Sequence, residues 1–541
     1  MPFASILGAL CALVLVRPSL AAAAAEATFG AQSQTPAMMA GSQPLAGWLV
    51  ILPIALPLIG SAITLTMRSR LDWQLPVATA ALIGAVLAAI GLFAQVSAHG
   101  PIMMAMGDWV PPFSIVLAID ALSALFVLVT TIVGLVGLIY ARSDIDGEGV
   151  RYGFYTFYLL LIAGVGGAFS TGDIFNLYVW FEVFLVSSFG LIILGGTRIQ
   201  LDGAVKYGVL NLIATTVFLI AVGYLYGATG TLNMADLQIV LAENKSATMM
   251  TIGALFLLGF AMKAASFPLH FWLPASYHTP KVVVSALFAG LLTKVGVYCL
   301  MRVLVMLFGA SGDGLMPYIA VLGILTAVLG ALGALAQDEL KRMAAFLVIS
   351  GIGVMLVGIG LDTRAGLSGA VVYAIHSIFV MTALFLVLGV AEKIAGSGTL
   401  WRPGGLYSAH GLVASLFLIF GFAAAGLPPF SGFWPKLMLV EASLEVDGWL
   451  AIACAVAVIL SGFLTTIAVG RAWALVFLRP VAGETAPPVA VRVDPATLIL
   501  AAIVIGLGLF PGLLIGPADS GAAAILDPAS YVTRVLGETS P

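Results

Sequence analysis

The sequence predicts an all-α polytopic membrane protein of about fourteen transmembrane helices, with two inverted five-helix repeats (helices 4–8 and 9–13) and broken helices 7 and 12. Three observations predict it. The 541 residues are 61% hydrophobic and only 9% charged, with mean hydropathy +1.14, where a soluble domain carries about 25% charged residues. Apolar runs long enough to cross a bilayer recur along the chain, and the basic residues between them alternate. Proline-rich interruptions fall in two of those runs, one in each half of the chain.

Residues 1–44 read as a possible signal peptide or N-terminal extension. ALCALVLV followed by RPSLAAAAAEA resembles a signal peptide with a small-residue cleavage region. No Lys or Arg precedes its apolar core, however, and Arg17 interrupts it, so a retained helix or an over-extended start stands beside the cleaved form. From residue 45 onward, apolar runs of at least ~17 residues define the helices. They fall at 45–67, 75–96 and 112–141 (helices 1–3), then 153–170, 173–196, 202–227, 248–269 and 279–306 (the first repeat, 153–306). The second repeat, 315–478, holds 315–336, 340–361, 366–391, 410–442 and 447–478; a last helix follows at 495–516. Residues 479–494 read as a loop and 517–541 as a frayed tail.

Basic residues check this count independently. Arg68 and Arg70 follow the first helix, Arg142 and Arg151 the third, and Arg198 the fifth. Lys341 and Arg342 follow the ninth, Lys393 and Arg402 the eleventh, and Arg479 and Arg492 the thirteenth. Loops after even-numbered helices hold only Lys245 and Arg364, with Arg534 in the tail. The positive-inside rule then makes the odd loops cytoplasmic and both termini external.

The interruptions echo one another. The seventh helix ends in FPLHFWLP (267–274) and the twelfth carries GLPPFSGFWPK (426–436). Proline removes backbone donors and breaks a helix. Broken backbone at membrane depth is tolerated only where it is buried in protein or lines an aqueous cavity. A pair of such breaks, one per half, marks an inverted-repeat transporter.

The charged residues at membrane depth carry the chemistry. Glu182 lies about ten residues past Asp173, which places its carboxylate roughly 15 Å deep, near the bilayer midplane. Such a carboxylate costs about 2.5–3.5 kcal/mol even on the mildest scale and is kept where it finds a partner in a polar interior. Lys206, Lys263, Lys294 and Lys436 are the candidate partners, four of the eight lysines in the chain. The simplest pair is Glu182 with Lys206, one helix on. A static pair would only fix helix packing; four lysines at similar depth favour proton or cation movement. Burial disfavours the charged form of a lysine, so Lys263 just before one break, and Lys294 within AGLLTKVGVY, can exchange protons where a surface lysine cannot. Lys436 repeats that role at the other break, with snorkelling to the surface as its alternative.

Three histidines are candidate relays. His270 could bridge Lys263 to Lys294, or simply follow the break. His278, before Thr279-Pro280, could contact water or serve a turn. His376 within YAIHSIFVMTALF could link helices ten to twelve or be a hydrogen-bonded interior residue. His99 and His410 read as interfacial, and Asp120 in LAIDALSALF as structural. No nucleophile–base pair, metal-ligand cluster or phosphate loop accompanies these groups. Cys11, Cys299 and Cys454 are isolated in apolar stretches, so no metal or cofactor is expected. No basic run suggests nucleic acid; the expected surroundings are a lipid bilayer, and the chemistry is transport rather than catalysis.

The motifs TGDIFNLYVWFEV (171–183), KAASFPLHFWLPASYHTP (263–280), VSALFAGLLTKVGVY (284–298), DELKRMAAFLVISGIG (338–353) and GLPPFSGFWPK resemble the antiporter-like subunits of respiratory complex I. They look closest to the D-type branch of the Mrp-type multisubunit Na⁺/H⁺ antiporters, over roughly residues 45–480 in matching order. The resemblance implies fourteen helices with breaks in the seventh and twelfth. It implies translocation roles for Glu182, Lys263, Lys294 and Lys436, and it matches Lys206 to a lysine often found in the sixth helix. It further implies a bacterial plasma-membrane hetero-oligomer exchanging internal Na⁺ or K⁺ for external H⁺. The runner-up is a proton-pumping subunit of a complex I-like NADH dehydrogenase or membrane-bound hydrogenase. One departure stands out: where the family often carries His-x-x-x-Lys in helix eleven, this chain has Ser377 and Met381, with His376 one place early.

Overall fold

A computed structural model describes residues 45–243, 246–309, 314–401, 405–479 and 493–537. The leader 1–44, with its signal-peptide question, lies outside the described residues, as do Lys245, Arg402 and Arg492. Every apolar run read from the sequence holds a helix. Helices 1 to 6 are Leu45–Thr66, Leu71–His99, Ala121–Asp144, Phe154–Ser170, Ile174–Ile192 and Arg198–Thr229. Helix 7 comprises Ala247–Ala264 and, past a break, Trp272–Ser276; helix 8 is Val282–Phe308. Helices 9 to 11 are Met316–Leu335, Leu340–Gly360 and Arg364–Ala395. Helix 12 comprises Gly411–Ala425 and Phe433–Leu444; helices 13 and 14 are Trp449–Leu478 and Pro495–Leu509. Among the described residues, eleven of these are long and apolar enough to cross a membrane unaided. Helix 4 is shorter, helix 12 crosses as two halves, and helix 14 bends by 77° into a further helix, Gly512–Leu526.

Two boundaries differ from expectation for identifiable reasons. The third helix begins at Ala121 rather than 112, because the Asp120 carboxylate accepts the backbone N–H of Ser123 and caps the first turn. The residues before it form strand β2, Val116–Ile119, paired antiparallel with β1, Ile102–Ala105. The expected frayed tail is instead ordered into Gly512–Leu526 and Ala529–Leu536. That last helix inserts Tyr531 and Val535 into the core, a two-residue anchor too short to stand out as an apolar run. Elsewhere the local rules hold. Thr197 and Gln200 form a reciprocal capping box that starts helix 6 at Arg198, and Asp173 caps helix 5 through the N–H of Asn176.

Polar contacts sort the loops into two faces. Lys281 bonds Asp146, Lys393 bonds Asp144, and Arg471 bonds Asp338. Ser143 donates to Asp494, and Arg342 meets His278. These contacts join the loops after helices 3, 7, 9, 11 and 13. Arg302–Asp120, Arg364–Asp519 and the Asp173–Asn233 bridge gather the ends of even-numbered helices. None of these pairs joins an odd loop to an even one, as fourteen crossings require. The central 18-residue stretches of helices 8 and 11 are entirely buried within the protein, so the polar residues they carry there face other helices and not lipid.

Candidate ion-translocation site

The two breaks are built alike. Helix 7 ends where Ala265 turns left-handed (φ 60°), and the first half of helix 12 ends at Gly426 (φ 86°). In each, a cis-proline follows three residues later, Pro268 and Pro429. A left-handed alanine costs roughly 1–2 kcal/mol that glycine does not, so the surroundings of Ala265 must hold it. The indole of Trp272 donates to Met262 O (3.0 Å), and Thr326 on helix 9 accepts the Phe267 N–H (3.0 Å).

Lys263 occupies the last turn of that half-helix, 5% exposed. Its ammonium has no hydrogen-bond partner and lies 5.3 Å from the Phe181 ring centre. The carboxylate acting on it through space is Glu182, whose Oε1 is likewise buried without a partner. Glu182 is therefore within electrostatic reach of Lys263 without forming a direct ion pair with it. The expected ion pair with Lys206 does not form: Lys206 bonds Asp202 one turn earlier on its own helix (2.5 Å), with both side chains more than half exposed. Exposed on helix 6 and held by Asp202, it makes no contact with Glu182. Lys206→Ala is accordingly expected to change exchange by no more than about twofold; loss of transport in that variant, with assembly intact, would return Lys206 to the site.

On the second side, Lys294 is fully buried and donates to Ala289 O (2.7 Å), within the π-helical turn Phe288–Leu292. Lys436 projects from the second half of helix 12 onto the carboxyl end of the first, donating to Ala425 O (2.7 Å). It thus answers carbonyls that a broken helix leaves orphaned, at the negative end of the helix dipole. This contact excludes snorkelling. His376 stands on helix 11, acted on electrostatically by both Lys436 and Lys294. Its Nδ1 meets Ser431 Oγ in the helix-12 break (2.9 Å), while its Nε2 is buried without a partner. Gly432 lets them approach, since a Cβ there would overlap Ala423 O and the imidazole.

The other two histidines sit elsewhere. His270 packs on Phe267 and Phe346 and makes no hydrogen bond to Lys263 or Lys294. His278 lies at the odd-loop face, with Nδ1 on Pro274 O and Nε2 beside Arg342. Burial and the Arg342 charge push its imidazole down to about 4, so it stays neutral near pH 7. Sequence reasoning missed one buried charge. Arg302, within LMRVLVMLF, forms a bidentate pair with Asp120; an arginine in so apolar a run was the available signal.

A buried row of one carboxylate, three lysines and a histidine, set at two helix breaks, defines a membrane protein equipped to move protons or cations rather than to make bonds. The family described as NADH:quinone oxidoreductase/Mrp antiporter, TM, matches residues 171–464, and the chain belongs to it. The D-type subunit of the Na⁺/H⁺ antiporter of Alkalihalophilus pseudofirmus is 38% identical over 497 residues, 91% of this chain and 99% of that relative. The protein of the same description from Bacillus subtilis is 38% identical over 500 residues, covering 90% and 99%. A chain of the Mrp complex from Dietzia sp. DQ12-45-1b superposes with TM-score 0.84 at 30% identity, covering 92% of this chain and all of that one. A chain of the membrane-bound sulfane sulfur reductase, an archaeal respiratory complex, gives 0.83 at 29% identity over 90% of this chain and all of that one.

Proposed function

We propose that the chain is the ion-translocating component of a hetero-oligomeric monovalent cation/proton antiporter, exchanging internal Na⁺ or K⁺ for external H⁺ through Glu182, Lys263, Lys294, His376 and Lys436. The observation that carries this reading is the Lys263 ammonium, buried at a helix break with no hydrogen bond and within electrostatic reach of Glu182. A lysine placed to fix packing is bonded, as Lys341 is to Glu392 (2.6 Å). An unbonded one can give up and regain its proton without breaking a contact. Lys263 takes and releases protons against Glu182 on one side. On the other, His376, anchored at Nδ1, offers its free Nε2 between Lys294 and Lys436.

Helices 4–8 and 9–13 are read as inverted repeats, supported by the shared break geometry and by two matching bridges. Asp173↔Asn233 joins the start of helix 5 to the end of helix 6, while Glu339↔Thr399 joins the start of helix 10 to the end of helix 11 on the opposite face. The basic odd loops orient that face to the cytoplasm of a bacterial cell, with the described ends outside. The redox-complex alternative is not favoured, because the most similar relatives named above are antiporter subunits.

The test is cation-dependent proton movement in everted vesicles from an antiporter-deficient host expressing the complete complex, with Na⁺ and K⁺ compared. Proton efflux on addition of either cation is expected. Co-purification with iron–sulfur proteins and no response to either cation would overturn the reading.

A further inference from the structure

Helix 8 presents Lys294, Tyr298 and Arg302 at four-residue intervals along one side, so Arg302 stands roughly 12 Å beyond Lys294 toward the even-loop face. There it meets Asp120, and both side chains are essentially inaccessible (1% and 0% exposed). The guanidinium is fully engaged: Nη1 and Nη2 donate to the two Asp120 oxygens (2.6 and 2.8 Å), Nη2 to Ser123 Oγ (2.9 Å), and Nε to the Tyr298 hydroxyl (3.3 Å). Burial pushes the Asp120 carboxyl up, but the Arg302 charge and its hydrogen bonds outweigh that and hold it below the usual range. The pair therefore stays charged.

What lies on either side gives the pair a meaning. Toward Lys294, Tyr298 packs with Phe126 and Phe169 in a buried trio, centroids 4.8–5.4 Å apart. Away from it, Tyr531 covers the guanidinium at 5.5 Å. A cavity of about 560 Å³ then opens at Met306, whose sulfur receives Nη1 at 3.3 Å. That cavity is lined in part by Asp362 and by Gln238, whose Oε1 is buried without a protein partner, so it is polar enough to hold water. Between it and the central lysines stand the ion pair and the aromatic trio.

We propose that Arg302, held by Asp120, is an electrostatic seal that bars protons and metal cations from passing between the Met306 cavity and the lysine row, so that Lys263 and Lys294 do not leak to the even-loop face. The guanidinium does not give up its proton, and a cation entering this low-dielectric constriction would have to displace it from Asp120. The carboxylate keeps the guanidinium ionised and in place, and the aromatic trio keeps the gap dry. The proposal rests on the translocation role given to the lysines above.

The test reads passive proton conductance of the complete complex in proteoliposomes, with no exchangeable cation present. The double substitution Asp120→Asn with Arg302→Gln keeps size and polarity and removes both charges. It is expected to raise conductance about tenfold or more, the change that a barrier lowered by ~1.4 kcal/mol produces. Arg302→Lys, which keeps the charge, is expected to stay tight. Adding Lys294→Ala to the double variant is expected to return conductance toward the wild-type value. An assembled double variant as tight as wild type overturns the seal. So does a leak undiminished by Lys294→Ala, which would mark loosened packing instead. Should the double variant not assemble, Arg302→His supplies the same reading. Its conductance is expected to be low near about pH 6 and raised near about pH 9, as the imidazole loses its charge; pH-independent conductance overturns the proposal. Cation-dependent exchange abolished by Lys263→Ala alongside a tight double variant would defeat the seal alone. Normal exchange in Lys263→Ala would defeat the translocation reading itself.

Discussion

Lys263→Ala is expected to abolish proton-coupled cation exchange while the complex still assembles. The ammonium makes no hydrogen bond, so removing it breaks none, although Glu182 loses its counter-charge; its stem packs at the end of a half-helix already capped by Trp272. Lys263→Met, closer in volume, should give the same loss of transport with still less effect on stability. Lys263→Arg separates charge from chemistry. A guanidinium keeps the positive charge opposite Glu182 but stays protonated, and so cannot cycle. All three variants are expected to fall below about 1% of wild-type exchange, because a required proton carrier has been removed. Exchange would be followed in everted vesicles with assembly checked by native gel. An arginine variant that transports normally would reduce Lys263 to a fixed charge.

Glu182→Gln carries the second large effect. The amide is nearly isosteric, so what disappears is the negative charge facing the Lys263 ammonium, which is left as a buried cation without its counter-charge. Coupled exchange is expected to fall at least about tenfold, or its optimum to move to lower pH, where external protons compensate for the lost attraction. Glu182→Asp keeps the charge with a shorter reach and should retain a fraction of activity. Rates across a pH series, in assembled complex, decide it. A Gln variant with an unchanged profile would detach Glu182 from Lys263.

Most of the architecture was legible because its causes are local. A bilayer-length apolar run, a basic loop and a proline-bearing break each announce themselves in a short window, and each of the fourteen runs holds a helix. The two prolines that mark the helix breaks stand beside Lys263 and Lys436, so those residues could be named from sequence. What stayed illegible is what depends on helix rotation and on distant neighbours. Periodicity alone does not say which side of helix 6 faces its neighbours, so Lys206 looked as available to Glu182 as Lys263 did; Asp202, one turn away, takes it instead. The Arg302–Asp120 pair joins residues 182 positions apart, and no local pattern reports that. The ordered tail depends on Tyr531, whose ring lies over Arg302, a contact that no local pattern reports.

The two breaks differ in what closes them. At helix 7 the closing donor is an indole, which holds Met262 O alike at every pH. At helix 12 the donor is the Lys436 ammonium itself, lying on Ala425 O. Stiffness at the first hinge is therefore indifferent to whether its neighbouring lysine is loaded. At the second, the group that would carry the charge is also the bolt: a proton leaving Lys436 would weaken the bond that joins one half of helix 12 to the other, and a proton arriving would restore it. On the proposed cycle, one half of the molecule would change its charge and keep its shape, while the other would convert a change of charge into a change of mechanical freedom.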